Sequence, residues 1–520
     1  MSAIPHLQSK RNMSTERVSI HGENRTMNQN SVRRTEAKFV SDPSRVITKF
    51  YYPGSQQRAR HVIRRVLSLP EERAKDILEQ VRRDFSHRHR DIDRVFRSHY
   101  GHVEKYVPPQ HKLSEVRKLL IGAYFTNEYS IEAAGFFNPS IVPHPNQRKI
   151  KKGETRFLLS FRATGEGHVS SIEFRSGILD TYNHVILDPV LRYAETPDII
   201  MRPIYDKDYF ARKLEEMNIR NSISTRILDQ LPETFTFKKL QTVLEREKKS
   251  RETSSPLRGI ISTIYWIARS NHERKFRQGT HMSERVIFPV SKEAVKGLED
   301  ARFVRFTDAD GSVRYYATYT AYNGISTLPM LLQTDDFETF HFNTLSGDSV
   351  KDKGMALFPR KIDGKYVMIA RIDGENLYIM SSDIVEVWND AEIIRTPVHP
   401  WELVQIGNCG SPIETPDGWL LVTHGVGPMR QYSIGAILLD LHNPSKVIAH
   451  LEEPLLVPHA TEREGYVPNV VYSCGGMVHQ GELVLPYAMS DSSCGLVTIP
   501  MDELLSAFQP VRENEAVAQR

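Results

Sequence analysis

Five stretches of the chain share one design, a mostly apolar strand that ends on a polar or charged residue: 156–162 (RFLLSFR), 313–319 (VRYYATY), 365–371 (KYVMIAR), 418–424 (GWLLVTH) and 482–487 (ELVLPY). The last three intervals between them are roughly 50–65 residues, about the length of one four-stranded propeller blade. Five such units close into a ring, and equivalent strand ends in a ring converge on its axis. The expected fold is therefore mainly β, a five-bladed β-propeller. Arg162, Tyr319, Arg371, His424 and Asp491, which follows the fifth strand, become candidates to line one central pocket.

The first interval is longer because the pattern turns helical between 205 and 292. Apolar residues there recur at spacings of three and four over 210–217, 223–231, 237–244 and 260–268. Helical spacing also covers 56–106, with Glu71 and Glu72 just after Pro70 as at a helix start, and resumes at 113–123. The organisation predicted is a disordered segment at 1–40, a helical extension at 41–130, the start of the propeller at 131–204, a helical insertion at 205–292, the rest of the propeller at 293–511 and a loose tail at 512–520. Asp310-Gly311, Asp363-Gly364, Asp373-Gly374 and Asp417-Gly418 punctuate the later strands as turns.

Composition narrows the function classes. A net charge of +4 on 520 residues, together with the lack of a recognised binding module, argues against nucleic acid. No run of apolar residues is long enough to cross a membrane, and the polar N-terminal stretch has no signal-like apolar core. Three cysteines without metal-ligand spacing point to a reducing compartment and to no zinc or disulfide framework. A cytoplasmic protein is expected. The added helices are compatible with a homo-oligomer.

Several groups of residues carry potential chemistry. Glu299, Asp300 and Arg302 put two acids and a base at the entrance of a strand, where a carboxylate can act as a general acid and an arginine can hold an anion. A plain surface ion pair is the competing reading. Lys353, Arg371 and His424 would supply cationic or donating groups for an inorganic anion such as phosphate, unless each is paired to an acid at a blade edge. Asn138, Asn469, Tyr487 and Asp491 are groups of the kind that hold sugars, and Trp401, Trp419 and Tyr466 are candidates for an aromatic surface beside them. Gly165-Glu166-Gly167 lacks the further glycines of a nucleotide loop.

Taken in order, these segments resemble glycoside hydrolase family 130, the β-mannoside phosphorylases and β-1,2-mannosidases with a five-bladed propeller. The resemblance rests on 137–139, 299–302, 353–362, Arg371, 424–426, 432–440, 465–470 and 487–491. The family's usual Glu-Asp-Pro-Arg carries Ala301 in place of proline here, and its Lys-Asp pair is Lys353-Gly354. The stretch 165–175 resembles a longer-chain branch of the family. The resemblance implies that Asp300 is the general acid, protonating the glycosidic oxygen through the 3-hydroxyl of mannose. It implies that Lys353, Arg371 and His424 hold phosphate, and that Asn138 and Asp491 contact the mannose ring. Arg162, Glu299, Arg302, Tyr319, Asn469 and Tyr487 are the further expected substrate contacts. The implied reaction is inverting phosphorolysis of β-mannosides, β-1,2-linked manno-oligosaccharides in the first place, to α-mannose 1-phosphate. Phosphate is the co-substrate, with no cofactor or metal. A β-1,2-mannosidase with Glu299 or Glu173 activating water, or a non-catalytic sugar-binding propeller, are the alternatives.

Overall fold

The computed structural model describes residues 31–109, 112–201, 204–217, 219–250, 255–289, 297–322 and 327–511. The protein is mainly β, and its strands fall into five antiparallel runs. The first comprises Gly135–Pro143, Thr155–Thr164, Ser170–Leu179 and Val185–Leu187; the second Gly297–Thr307, Val313–Tyr322, Thr327–Thr334 and Thr339–Thr344. Lys353–Leu357, Tyr366–Arg371, Leu377–Ser382 and Ala391–Arg395 make the third. The fourth is built on Gln405–Asn408, Gly418–Val426, Tyr432–Leu439 and Val447–His450, and the fifth on Val471–Tyr472, Glu482–Met489 and Ser493–Pro500. A single parallel pairing, Gly297 with Ser170, joins the first two runs into one sheet. No sheet closes on itself among the described residues.

Strand alternation explains how the runs pack. In the first run Phe157, Leu159 and Phe161 enter a core shared with Val484 and Leu496 of the fifth, while Leu158 between them enters a core shared with Phe303 and Ala317 of the second. Tyr316 joins Met368 and Ala370, and Ile369 joins Trp419 and Leu421. Leu420 and Val422 meet Leu483 and Leu485. Each middle strand is thus buried on both faces, which is why it reads as a near-continuous apolar run. Shared cores link first to second, second to third, third to fourth, fourth to fifth and fifth back to first.

Turn chemistry sets the hairpins. Asp363 and Gly364 both have positive φ, 49° and 79°, as the tight turn before Tyr366–Arg371 requires. Helices Gln56–Leu67, Glu71–Phe85, Ile92–Val103 and Glu115–Tyr124 pack around their own core, with Ser55, Asp91 and Ser114 capping three of them. Lys207–Glu216, Ser222–Asp229, Phe237–Ser250 and Ser255–Ser270 form a second helical cluster. No helix among the described residues is long and apolar enough to cross a membrane.

The expectation of disorder through residue 40 is corrected. Arg33–Val40 is a strand that pairs with Ser493–Pro500 and completes the fifth run. Its residues are polar on the outer face, and the stabilising contact is Phe39 against Phe161, so composition alone hid it. Residues 1–30 and 512–520 lie outside the described residues. The stretch 41–130 also holds a two-stranded ribbon, Val46–Phe50 with Thr126–Ser130. Within 205–292, His272–Lys275 adds a strand to the second run by pairing with Thr339–Thr344.

Candidate active site

The first strands of all five runs contribute to a single cavity, with Asn138, Asp300, Lys353, Asn408 and Tyr472 among its lining residues. The second strands of the first, third and fourth runs add Arg162, Arg371 and His424, and the turn after the second strand of the fifth adds Asp491. Arg302, Arg430 and Tyr432 complete its polar wall, around roughly 150 Å³ of water-accessible space.

Backbone irregularity aims these groups. The pairing register breaks between Phe137 and Ser140, between Glu299 and Arg302, and between Lys353 and Ala356. In each break one residue is left-handed: Asn138 at φ 50°, Asp300 at 54° and Gly354 at 88°. A bulge takes the side chain off the alternating pattern, and positive φ outside glycine is costly enough to mark a site where geometry is held by its surroundings. Asp491 has the same conformation, with φ 53°.

Asp300 sits in a dense field of partners. Asn138 Nδ2 donates to its Oδ1 at 2.7 Å, and Arg162 Nη1 at 3.3 Å. Burial works against its charge, but Arg162, Arg302, Lys353 and the Asn138 bond outweigh it and hold the carboxyl at about 2. Asp491 goes the other way. Burial and the nearby Asp300 charge push it up to about 6, against the pull of Arg162 and Arg430. Arg302 donates from Nη1 to the Asp300 carbonyl at 3.1 Å and from Nη2 to the Tyr472 hydroxyl at 2.6 Å.

The cavity has a surplus of positive charge. Arg162, Arg302, Lys353, Arg371 and Arg430 face the carboxylates of Asp300 and Asp491. The nearest further acids are Glu299, bonded by Arg162 Nη2 at 2.8 Å and 3.8 Å from Lys353 Nζ, and Asp352, 3.5 Å from Arg371 Nη2. Arg302 and Arg371 each keep a buried Nε–H with no hydrogen-bond partner. An anion is what such a lining recruits. His424 is not one of the cations. Its Nδ1 donates to the Asn408 carbonyl at 3.1 Å, so Nε2 carries the lone pair that faces Arg371 Nη1 at 3.5 Å. Burial first, then Arg371 and Arg302, lower its pKa and keep it neutral. Its ring stacks on Tyr432 and meets the edge of Tyr472.

Six expected residues fall elsewhere. Tyr319 is packed in the core between the first and second runs. Arg162 pairs with Phe137 just before its bulge, and the residue at the same place beside Glu299 is Thr320. Tyr319 is one residue off, and one residue reverses the face of a strand. Tyr487 is buried and donates to Glu462 Oε1 at 2.7 Å. Asn469 lies between Val467 and Val470, which line the cavity, without lining it. Glu173 is sealed in an ion cluster with Arg45, Glu132 and Arg175. Glu299 lies behind the wall, held by Arg162. Trp419 is buried in the core between the third and fourth runs. Asn408, Tyr472 and Arg430 line the cavity without a signal in the repeated strand ends: Asn408 and Tyr472 sit on short first strands, and Arg430 on the turn between Gly418–Val426 and Tyr432–Leu439.

A family model described as beta-1,4-mannooligosaccharide phosphorylase matches residues 267–509. The 1,2-beta-oligomannan phosphorylase of Thermoanaerobacter sp. (strain X514) is 36% identical over 225 residues, which span 41% of this chain and 72% of the relative. The chain belongs to glycoside hydrolase family 130. It is a glycoside phosphorylase, an enzyme that takes inorganic phosphate as its second substrate. A second family 130 relative, the beta-1,2-mannobiose phosphorylase of Listeria innocua, is 27% identical over 350 residues, 65% of this chain and 91% of its own. Its solved structure in complex with beta-1,2-mannobiose aligns with 78% of this chain and 95% of its own at 20% identity and a TM-score of 0.43.

Proposed function

We propose that this family 130 enzyme is an inverting β-mannoside phosphorylase acting on β-1,2-linked manno-oligosaccharides and releasing α-mannose 1-phosphate. The observation that carries the reading is the cavity itself: the ionised Asp300 carboxylate faces a lining with more cations than acids. The five runs, with shared cores that lead from the fifth back to the first, support a five-bladed propeller around it.

In this scheme Lys353, Arg371 and Arg302 hold phosphate. Neutral His424 accepts a hydrogen bond from Arg371 or from a hydroxyl of a protonated phosphate, and so orients rather than attracts it. A phosphate oxygen attacks the anomeric carbon as the bond from that carbon to the leaving oxygen breaks. The proton needed by the leaving oxygen comes from Asp300, relayed by the 3-hydroxyl of mannose. The products are α-mannose 1-phosphate and a chain shorter by one mannose.

Asp300 must first be loaded. With its carboxyl at about 2 in the empty site, it is ionised at neutral pH. A phosphate seated beside Lys353 and Arg302 cancels part of the field that keeps it so, and a protonated phosphate brings the proton with it. No base is needed, since phosphate is already a nucleophile. The hydrolytic alternative is weakened because Glu173 is sealed away and Glu299 is tied to Arg162, leaving neither to activate water.

The test is incubation with β-1,2-mannobiose with and without phosphate, reading α-mannose 1-phosphate and free mannose separately. Phosphate-dependent sugar phosphate is expected. Free mannose in phosphate-free buffer would make the enzyme a hydrolase and turn attention to Asp491.

A further inference from the structure

One pair of side chains beside the cavity has no part in the scheme above. Tyr466 is 61% exposed, and the exposed His168 ring stacks on it with centroids 5.3 Å apart and planes at 28°. The two residues come from loops nearly 300 positions apart, and both loops are anchored to the wall of the cavity. The turn that carries His168 links Thr155–Thr164 to Ser170–Leu179, and Arg162 of the first strand clamps Ser170 of the second at 3.0 Å. Tyr129 bonds the carbonyl of Glu166 at 2.6 Å, and His168 is itself left-handed at φ 59°. On the other side, Val467 lines the cavity and donates to the Ser490 carbonyl at 3.1 Å, next to Asp491. Gly465 lies so close to that carbonyl that a Cβ would come within 2.2 Å of it. Both rings are therefore held in place at the rim while remaining open to solvent.

An aromatic surface fixed at the mouth of a polar cavity suits a sugar. A β-mannosyl unit carries axial C–H groups at C1, C3 and C5 on one face, and these are attracted to the negative face of an aromatic ring. One face of Tyr466 is covered by His168, and its exposure leaves the other free. Two of the three phosphate cations, Lys353 and Arg371, lie on strands of the third run, whereas this pair is anchored through Arg162 and the Asp491 turn. We propose that the His168–Tyr466 pair is the platform for the mannosyl units beyond the scissile bond, and that it sets affinity for the acceptor end of the oligosaccharide. The proposal rests on the phosphorolysis reading for its substrate class.

The test measures both directions of the reaction in Tyr466→Ala and His168→Ala. Tyr466→Ala is expected to raise KM for β-1,2-mannotriose in phosphorolysis, and for the acceptor mannose in synthesis, about 3- to 10-fold. KM for phosphate and for α-mannose 1-phosphate should not move, and Tyr466→Phe should restore the wild-type values. A pair that merely ties two loops together would leave the acceptor KM alone or disturb all constants equally, and either result overturns the platform while the phosphorolysis reading stands. Calorimetric binding of β-1,2-mannotriose separates the other failure. Binding that weakens in Tyr466→Ala, in a protein that forms no α-mannose 1-phosphate, keeps the platform and removes the phosphorolysis. A wild-type protein that neither binds nor turns over the trisaccharide overturns both.

Discussion

Two clusters of arginine and carboxylate are built against the first run of strands, around Arg162 and around Glu173 and Arg175, and they do opposite things. Arg162 and Asp300 line an open cavity that has further cations in its wall, with Glu299 held behind Arg162. Arg45, Glu132, Glu173 and Arg175 are sealed, with Glu132 and Glu173 showing no exposure. There Arg45 Nη2 meets Glu173 at 3.0 Å and the Ser283 carbonyl at 2.7 Å, while Arg175 meets Glu132 at 2.8 Å. Burial, reinforced by the neighbouring Glu173, pushes the Glu132 carboxyl up. The same residue types in a closed space match acid to base and hold the segment around Arg45 to the sheet. Open to solvent and unbalanced, they leave charge for a ligand. Balance, more than residue type, separates a staple from a site.

The sharpest way to break this contrast is Asp300→Asn, which should lower kcat about 10³-fold with an unchanged circular dichroism spectrum. Retained turnover would remove Asp300 from its role. Arg45→Met should do the reverse. Leaving two buried carboxylates to share Arg175 alone costs about 3–5 kcal/mol in urea unfolding, with kcat per folded molecule unchanged. If instead activity falls and stability holds, the sealed cluster serves catalysis after all. Lys353→Met sharpens the open side: KM for phosphate should rise about tenfold while KM for the mannoside stays put.

The smallest effect has the most specific sign. Asp491 has a folded pKa of about 6, above the roughly 3.9 of an unfolded aspartate, so the stability it lends is full below that lower value and is lost as pH rises through about 6. Asp491→Asn should therefore stabilise the protein by about 1 kcal/mol at pH 8 and by almost nothing at pH 4. A melting difference larger in acid would contradict this. Asp300, depressed to about 2, has the opposite dependence, its contribution present above its unfolded pKa and lost only as pH falls toward 2.

Much of this contrast could be read from the chain. Strand ends at Arg162, Arg371 and His424 and the turn at Asp491 do meet in one cavity, because they occupy equivalent places on middle strands buried on both faces. What escaped was decided by register, by distant partners and by the backbone. Tyr319 and Thr320 look equally eligible until the bulge at Asp300 fixes the register. Glu173 looks like a free acid until Arg45, from a segment far back in the chain, closes over it. The neutrality of His424 depends on a carbonyl, that of Asn408, which no side-chain pattern announces.

The strand Arg33–Val40 sets an order of events. It is made early and has to wait for Ser493–Pro500 before it can pair, while Arg34 waits for Glu462 and, through it, Tyr487. During synthesis the edge it will cover does not yet exist, and the shared core between the last run and the first stays exposed until it does. The Asp491 turn lies between the strands Glu482–Met489 and Ser493–Pro500 of that last run. An unfinished chain can therefore fold much of its framework and still have no complete site: the Asp491 wall arrives only with the late strands that Arg33–Val40 has been waiting to join.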